Sequence, residues 1–238
     1  MNSAQLTKAS SEQQRQLIAS PWHTLIVVVI ALLNAYRASI YAAQARTGLG
    51  TSRSYLYLRI IAFEFAVLAV VALGLWLRGS SLQNILGERW RSMGQMLRDL
   101  GIGVALWFVA IIVVSVLSSH SGPADGTIAF LLPQTPMEMM LWVLVSSVAG
   151  ISEEAIYRGY LQRQFAALTQ SVPAGVLISA AIFGGVHAYQ GWSRAVVIAI
   201  SAILFGAVAH WRGTVRPGMF AHGLQDAIAP LLLKLLRH

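Results

Sequence analysis

Apolar stretches separated by short polar breaks recur along the chain, around 21–43, 58–77, 101–118, 138–161, 173–188, 193–211 and 218–236. A helix that crosses a bilayer needs about 20 mostly apolar residues. The pattern therefore predicts an all-α fold: a polytopic membrane helix bundle of about seven transmembrane helices. No segment alternates in the manner of barrel strands, and no repeat or low-complexity tract is present. The last three stretches are short and closely joined, which predicts tightly packed or tilted helices. Gly122-Pro123 and the segment Pro133–Pro136 punctuate the chain between the third and fourth stretches. The expected organisation is a polar N-terminal tail over 1–20, N-terminal transmembrane helices over 21–134, and a C-terminal core over 135–238. At the N-terminus, Lys8 and Arg15 precede the apolar run Leu25–Leu33, and Ala43-Gln44-Ala45 resembles a cleavage site. Arg37 and several polar residues separate run from site, so a retained first helix is expected rather than a signal peptide.

Composition agrees with the pattern. Of the 238 residues, 56% are hydrophobic and only 11% charged, against about 25% charged in soluble domains. The net charge of +8 has no dense basic block behind it. It fits loop arginines facing anionic lipid rather than a nucleic-acid partner. With no cysteine, disulfides, a thiol nucleophile and thiolate metal sites are excluded. Arg78, Arg89, Arg91 and Arg98 crowd the loop between the second and third stretches, whereas Ser119–Pro136 holds no Lys or Arg. The positive-inside rule puts the first loop in the cytoplasm, and with it Arg158, Arg163, Arg212 and Arg216. Strict alternation sends Arg46 and Arg53 outside, against the rule.

Chemistry enters through the fourth stretch, which reads LWVLVSSVAGISEEAIYRGYL over Leu141–Leu161. A charge near the centre of a spanning helix costs roughly 2.5–3.5 kcal/mol, so ionisable groups there mark functional sites. Glu154 and Arg158 are four apart with the acid first, the favourable order for a helical ion pair. Glu153 points about 100° away from Glu154 and shares a face with Gly150 and Tyr157. Arg158 can thus neutralise Glu154 while Glu153 stays available. A second grouping is Phe183-Gly184-Gly185-Val186-His187, whose glycines allow a close helix approach beside His187. A third is His222-Gly223-Leu224-Gln225-Asp226, with His222 and Asp226 on one face. Each has a bland alternative: a charge cluster where a helix leaves the membrane, a terminal His bonded to a carbonyl, a boundary His–Asp pair. Trp211, Arg212 and Arg216 read as an interfacial anchor. Three of the nine acidic residues and two of the six histidines fall in these groupings. Lying on different apolar helices, they can meet only in a bundle core, where they can hold and deprotonate a water.

In order and spacing, Glu153-Glu154-x-x-Tyr157-Arg158-Gly159, Phe183 to His187, and His222 to Asp226 resemble the CPBP (Abi) family of CAAX proteases and bacteriocin-processing enzymes. That resemblance covers roughly Leu141 to Pro230, and the N-terminal half matches nothing specific. It implies an intramembrane glutamate protease with its active site in the C-terminal four helices. Glu153 and His187 would bind the attacking water, with Glu153 as general base. His222 and Asp226 would face the oxyanion. The family's prenyl-protein members usually carry Asn at the last position, and an ionised Asp cannot donate a hydrogen bond. Asp226 is therefore expected to orient His222 or to be protonated. Glu154 and Arg158 are expected to pair, and Phe183 and Tyr157 to support the site. Glu, His and Asp could ligate zinc, but no HExxH is present and the donors are spread over three helices. A metal-free mechanism with no cofactor is expected. The expected partners are a peptide or membrane-protein substrate and membrane lipid, in the bacterial cytoplasmic membrane. Two other readings use the same residues: a non-catalytic immunity factor or scaffold, and a small transporter or proton relay.

Overall fold

The computed structural model describes residues 16–47, 52–119 and 131–235. Among the described residues every regular element is a helix. They are α1 Pro21–Arg46, α2 Arg53–Trp76, the short α3 Leu82–Leu86, α4 Met93–Ser119, α5 Pro136–Glu153, a π-helical stretch Glu154–Leu161, α6 Gln162–Thr169, α7 Val172–Val186, a 3-10 turn Ala188–Gln190, α8 Trp192–Arg212 and α9 Arg216–Leu235. Each of the seven apolar stretches therefore lies on a helix. Among the described residues five helices are long and apolar enough to cross a membrane: α1, α2, α4, the continuous Pro136–Thr169, and α8. Val172–Val186 is shorter, which agrees with its expected brevity. The expected tail over 1–20 and the Arg-free loop lie largely outside the described residues.

Local chemistry sets the ends of the elements that matter. Pro136 occupies the first turn of α5, where its missing N–H costs nothing. Thr135 Oγ1 accepts from the Glu138 N–H at 3.2 Å, and the Glu138 carboxylate accepts from the Thr135 N–H at 3.3 Å, a reciprocal capping box. Ser171 caps α7 by accepting from the Ala174 N–H. Gly213, with φ of 65°, ends α8 in a left-handed turn that leads straight into α9.

Helix α9 is the axis of the C-terminal half, packed between α5 and α4. The α5–α9 crossing is close because two glycines meet: a Cβ on Gly150 would fall 2.7 Å from the Gly223 nitrogen. A proline then locks the pair. Pro230 cannot donate to the carbonyl four residues back, that of Asp226. The Trp142 indole N–H donates to that carbonyl instead, at 2.8 Å. On its other side α5 packs against α2, where Tyr57 meets Trp142 edge to face and donates to the Leu131 carbonyl. Helix α7 packs between α6 and α8. Gly184 makes the α7–α8 approach as the sequence predicts, its Cβ position lying 2.5 Å from the Ala195 carbonyl, whereas Gly185 faces open space. The outer helices are more exposed. Only 17% of the most apolar window of α1 and of α4 is buried, against 50% for Pro136–Thr169, so the latter forms the core and the former present apolar side chains to lipid.

Candidate active site

The π-helical stretch begins at Glu154, in the middle of the continuous helix Pro136–Thr169. Such widened turns inside α-helices are frequent at functional sites. Every residue from Glu154 to Leu161 is buried. Glu154 is fully enclosed, and its Oε1 lies 2.9 Å from Arg158 Nη1. The guanidinium is sandwiched by aromatic rings, 4.3 Å from the Phe183 centroid and 5.4 Å from that of Phe205. This is the ion pair the spacing predicts, made on a π-turn and stabilised by cation–π contact.

Glu154 has a second partner. His222 Nδ1 lies 3.2 Å from the same Oε1, so the imidazole donates Nδ1–H to the carboxylate. That leaves Nε2 facing the other two acids, 3.6 Å from Glu153 Oε2 and 3.5 Å from Asp226 Oδ2. Glu154 thus orients the imidazole through Nδ1, a role the sequence reading assigned to Asp226. Asp226 lies at the Nε2 end and its side chain is 39% exposed. Gly218 makes room for this arrangement, since a Cβ there would come within 2.7 Å of Glu154 Oε2. Glu153 Oε2 is buried and accepts no hydrogen bond among the described residues.

His187 stands one ring away. It ends α7, and its Nδ1 lies 2.7 Å from the Phe183 carbonyl. A carbonyl only accepts, so Nδ1 carries the proton and Nε2 is the free, basic nitrogen. None of the ion pairs within 4.0 Å among the described residues joins His187 to a carboxylate. Phe183 connects the groups instead: its ring centroid lies 4.6 Å from that of His187, 4.8 Å from Tyr157 and 5.9 Å from His222. The structure therefore brings Glu153, Glu154, Arg158, His222 and Asp226 into direct association. Tyr157, Phe183 and His187 form an aromatic wall beside them. No group of three His, Asp or Glu side chains among the described residues is placed to hold a metal ion.

Two residues of the site escaped the sequence reading. Tyr189, in the 3-10 turn, stacks on His187 with ring centroids 6.1 Å apart. Burial pushes its hydroxyl up to about 12; a hydrogen bond from Gln190 opposes this, and the charges of Glu153, Asp226 and Glu64 add to the rise. Its oxygen accepts from Gln190 Nε2, which leaves the phenolic proton free to donate. The other is Glu64, on α2. It is 7% exposed, on the helix that packs against α5. Its signal was present in the sequence, as the lone acid of an apolar span.

At one end of the bundle the arginines of separate loops converge. Arg163 donates to the Asn84 carbonyl and Arg216 to the carbonyls of Gly87 and Glu88. Arg212 pairs with Asp99 at 2.8 Å. A cavity of about 970 Å³ opens there, lined by Arg78, Arg89, Arg91, Arg158, Arg163 and His210 among others. The expected anchor residues are thus ties, Arg212 from α8 to α4 and Arg216 from α9 to the α3–α4 loop.

Comparison with known proteins agrees with the geometry. Residues 135–228 match the family described as Type II CAAX prenyl endopeptidase Rce1-like. This region belongs to the CAAX-protease family. The matched span begins at the cap of α5 and ends just past Asp226, so it contains all three motifs. No curated protein and no solved structure matches the chain. The match and the five long apolar helices among the described residues support an integral multi-pass membrane protein with a C-terminal region similar to a protease family.

Proposed function

We propose that this protein is an intramembrane endopeptidase that hydrolyses a peptide bond of a membrane-associated or secreted polypeptide with water activated by Glu153. The observation that carries this reading is the contrast within the Glu153-Glu154 pair. Glu154 has its charge answered by Arg158 and its Oε1 bonded to His222, its Oε2 being enclosed, while Glu153 ion-pairs with no arginine among the described residues and its buried Oε2 lies 3.6 Å from His222 Nε2. One water can hydrogen-bond to both atoms at that separation. Glu153 takes a proton from this water as its oxygen bonds to the peptide carbonyl carbon. The carbonyl oxygen gains negative charge and is met by His222 Nε2–H when that nitrogen is protonated, and by the free phenolic proton of Tyr189. The C–N bond then breaks, and the proton held by Glu153 passes to the leaving amine. His187 Nε2, the basic nitrogen of its ring, is a second acceptor for the water. No metal is needed for these steps; a chelator should leave cleavage intact, and complete, metal-reversible loss would replace this account with a zinc-assisted one.

The arginine-lined end of the bundle faces the cytoplasm in this reading, since Arg78, Arg89, Arg91, Arg163, Arg212 and Arg216 gather there against Arg53 and Arg194 at the helix starts of the other end, and the membrane is the bacterial cytoplasmic membrane. The test compares membrane and secreted polypeptides of cells carrying the wild-type protein or Glu153→Gln. The expected result is one or more polypeptides that remain uncut in the variant. Identical polypeptides in both, with both proteins present in equal amount, would favour a non-catalytic role.

A further inference from the structure

The cavity at the arginine-rich end takes no part in the reaction above, yet its lining is chemically lopsided. Arg78, Arg89, Arg91, Arg158 and Arg163 line it, against a single acid, Glu88. Glu88 is taken by Arg91, at 2.9 Å, and both side chains are exposed. Arg158 is answered by Glu154, which is not part of the lining. Arg78, Arg89 and Arg163 have no carboxylate in ion-pair range among the described residues. Like charges gathered around one cavity repel, and an anion among them relieves the repulsion. Hydrogen-bond donors are left over as well. Arg163 gives Nη1 to the Asn84 carbonyl at 2.6 Å, and its Nε is buried without a hydrogen bond among the described residues. Arg158, 4% exposed, meets Glu154 through Nη1, and its other nitrogens make no hydrogen bond among the described residues. Arg78 has no side-chain partner there at all. Guanidinium groups with spare N–H donors suit phosphate oxygens, which they bind in parallel pairs.

The cavity is also preformed, and it lies at the right depth. Thr214 Oγ1 donates to the Leu86 carbonyl at 2.8 Å and Arg216 to the Gly87 carbonyl at 3.0 Å, which fastens the α3–α4 loop to the start of α9. Its volume of about 970 Å³ is at the upper end of the usual range for small-molecule sites, about 300–1,000 Å³. Trp22, Trp76, Trp90 and Trp211 are exposed at this same end of the bundle. Indole rings collect where lipid headgroups lie. Leu17, Ile18, Ile85 and Val172 share the lining with the arginines. An amphiphile with an anionic head matches a wall that is part cationic and part apolar, whereas free phosphate matches only the first part.

We propose that this cavity binds the phosphate headgroup of an anionic membrane phospholipid, with Arg78, Arg89 and Arg163 as its cationic contacts. Arg158, the buried arginine of the five, connects the site to the acid cluster: it lines the cavity and holds Glu154, which in turn holds His222. Lipid binding rests on the membrane-spanning fold and not on the protease reading, and it can be measured without any cleavage.

The experiment titrates the full chain, purified in detergent, with phosphatidylglycerol or with phosphatidylcholine of the same acyl chains, and counts bound lipid by native mass spectrometry. The proteins are wild type, Arg78→Gln, Arg163→Gln and, at the opposite end of the bundle, Arg194→Gln. A parallel arm follows the unfolding midpoint of wild type and Arg163→Gln with inorganic phosphate. The wild type should bind phosphatidylglycerol about tenfold or more tighter than phosphatidylcholine. Arg78→Gln and Arg163→Gln should each weaken phosphatidylglycerol about fivefold, the usual worth of one arginine near anionic lipid, and Arg194→Gln should leave it unchanged. Equal affinity for the two lipids overturns the proposal, as does phosphatidylglycerol binding that both cavity variants leave intact. An equal loss in Arg194→Gln overturns it in favour of diffuse surface charge. Inorganic phosphate that raises the midpoint of the wild type but not of Arg163→Gln, without a preference for phosphatidylglycerol, replaces the lipid by free phosphate. Should Arg163→Gln fail to fold, Arg78→Gln decides, because Arg78 has no side-chain partner among the described residues to lose.

Discussion

Asp99 and Glu64 are both buried acids on helices of the N-terminal half, yet their surroundings are opposite. Asp99 accepts from Arg212 Nη2 at 2.8 Å and from the Trp90 indole at 2.9 Å, so its charge is answered and its geometry closed. Glu64 is buried on α2, the helix that packs against α5, with no cation in the ion-pair range among the described residues. It lies in the half of the bundle that faces the Glu153–His222–Asp226 cluster of α5 and α9. The first region ties α4 to α8 and to the loop before α4. The second collects acids and an imidazole whose hydrogen-bonding capacity is only partly used. Buried charge that is fully paired holds a fold together, and buried charge left open is where chemistry can happen. One residue apart, Glu154 has an arginine partner and Glu153 has none among the described residues.

Breaking the open region should cost activity, and breaking the closed ones should cost stability. Glu153→Gln is expected to reduce cleavage by about 10²–10⁴-fold, the range for loss of a general base, with the unfolding midpoint in detergent unchanged. Arg158→Met leaves Glu154 enclosed without its cation and should destabilise by about 3–5 kcal/mol, read as a fall in that midpoint. Gly150→Val puts side-chain atoms where the Gly223 backbone lies, so α9 must move and carry His222 with it. About 1–3 kcal/mol of stability should be lost, and cleavage should drop with it. Asp99→Asn keeps the shape but removes one charge of the Arg212 pair; a loss of about 1–2 kcal/mol with an unaltered pH profile of cleavage is expected. A change in that profile would erase the distinction between the two regions.

Much of this was legible beforehand, for identifiable reasons. Hydropathy marks helices well because a bilayer demands long apolar runs, and all seven stretches lie on helices. The Glu154–Arg158 pair followed from helical spacing, and Gly184 from the need for close approach. Other features depend on tertiary contact and leave no local trace. That Glu154 rather than Asp226 holds His222 through Nδ1 depends on how α9 crosses the π-turn, and neither the π-turn nor the crossing has a periodic signature. The Trp142–Asp226 bond required knowing that Pro230 frees a carbonyl facing α5. Glu64 was visible as a lone acid in an apolar span, but only the packing of α2 on α5 shows that it is buried in the bundle rather than turned to lipid.

The central claim is that Glu153 is the base that activates water for peptide cleavage. Its most direct test incubates purified wild-type and Glu153→Gln protein in nanodiscs with the polypeptide that accumulates in the variant cells, and counts newly formed termini. The account predicts new termini with the wild type and none above background with Glu153→Gln, at equal unfolding midpoints. New termini at the wild-type rate from a folded Glu153→Gln protein would contradict it.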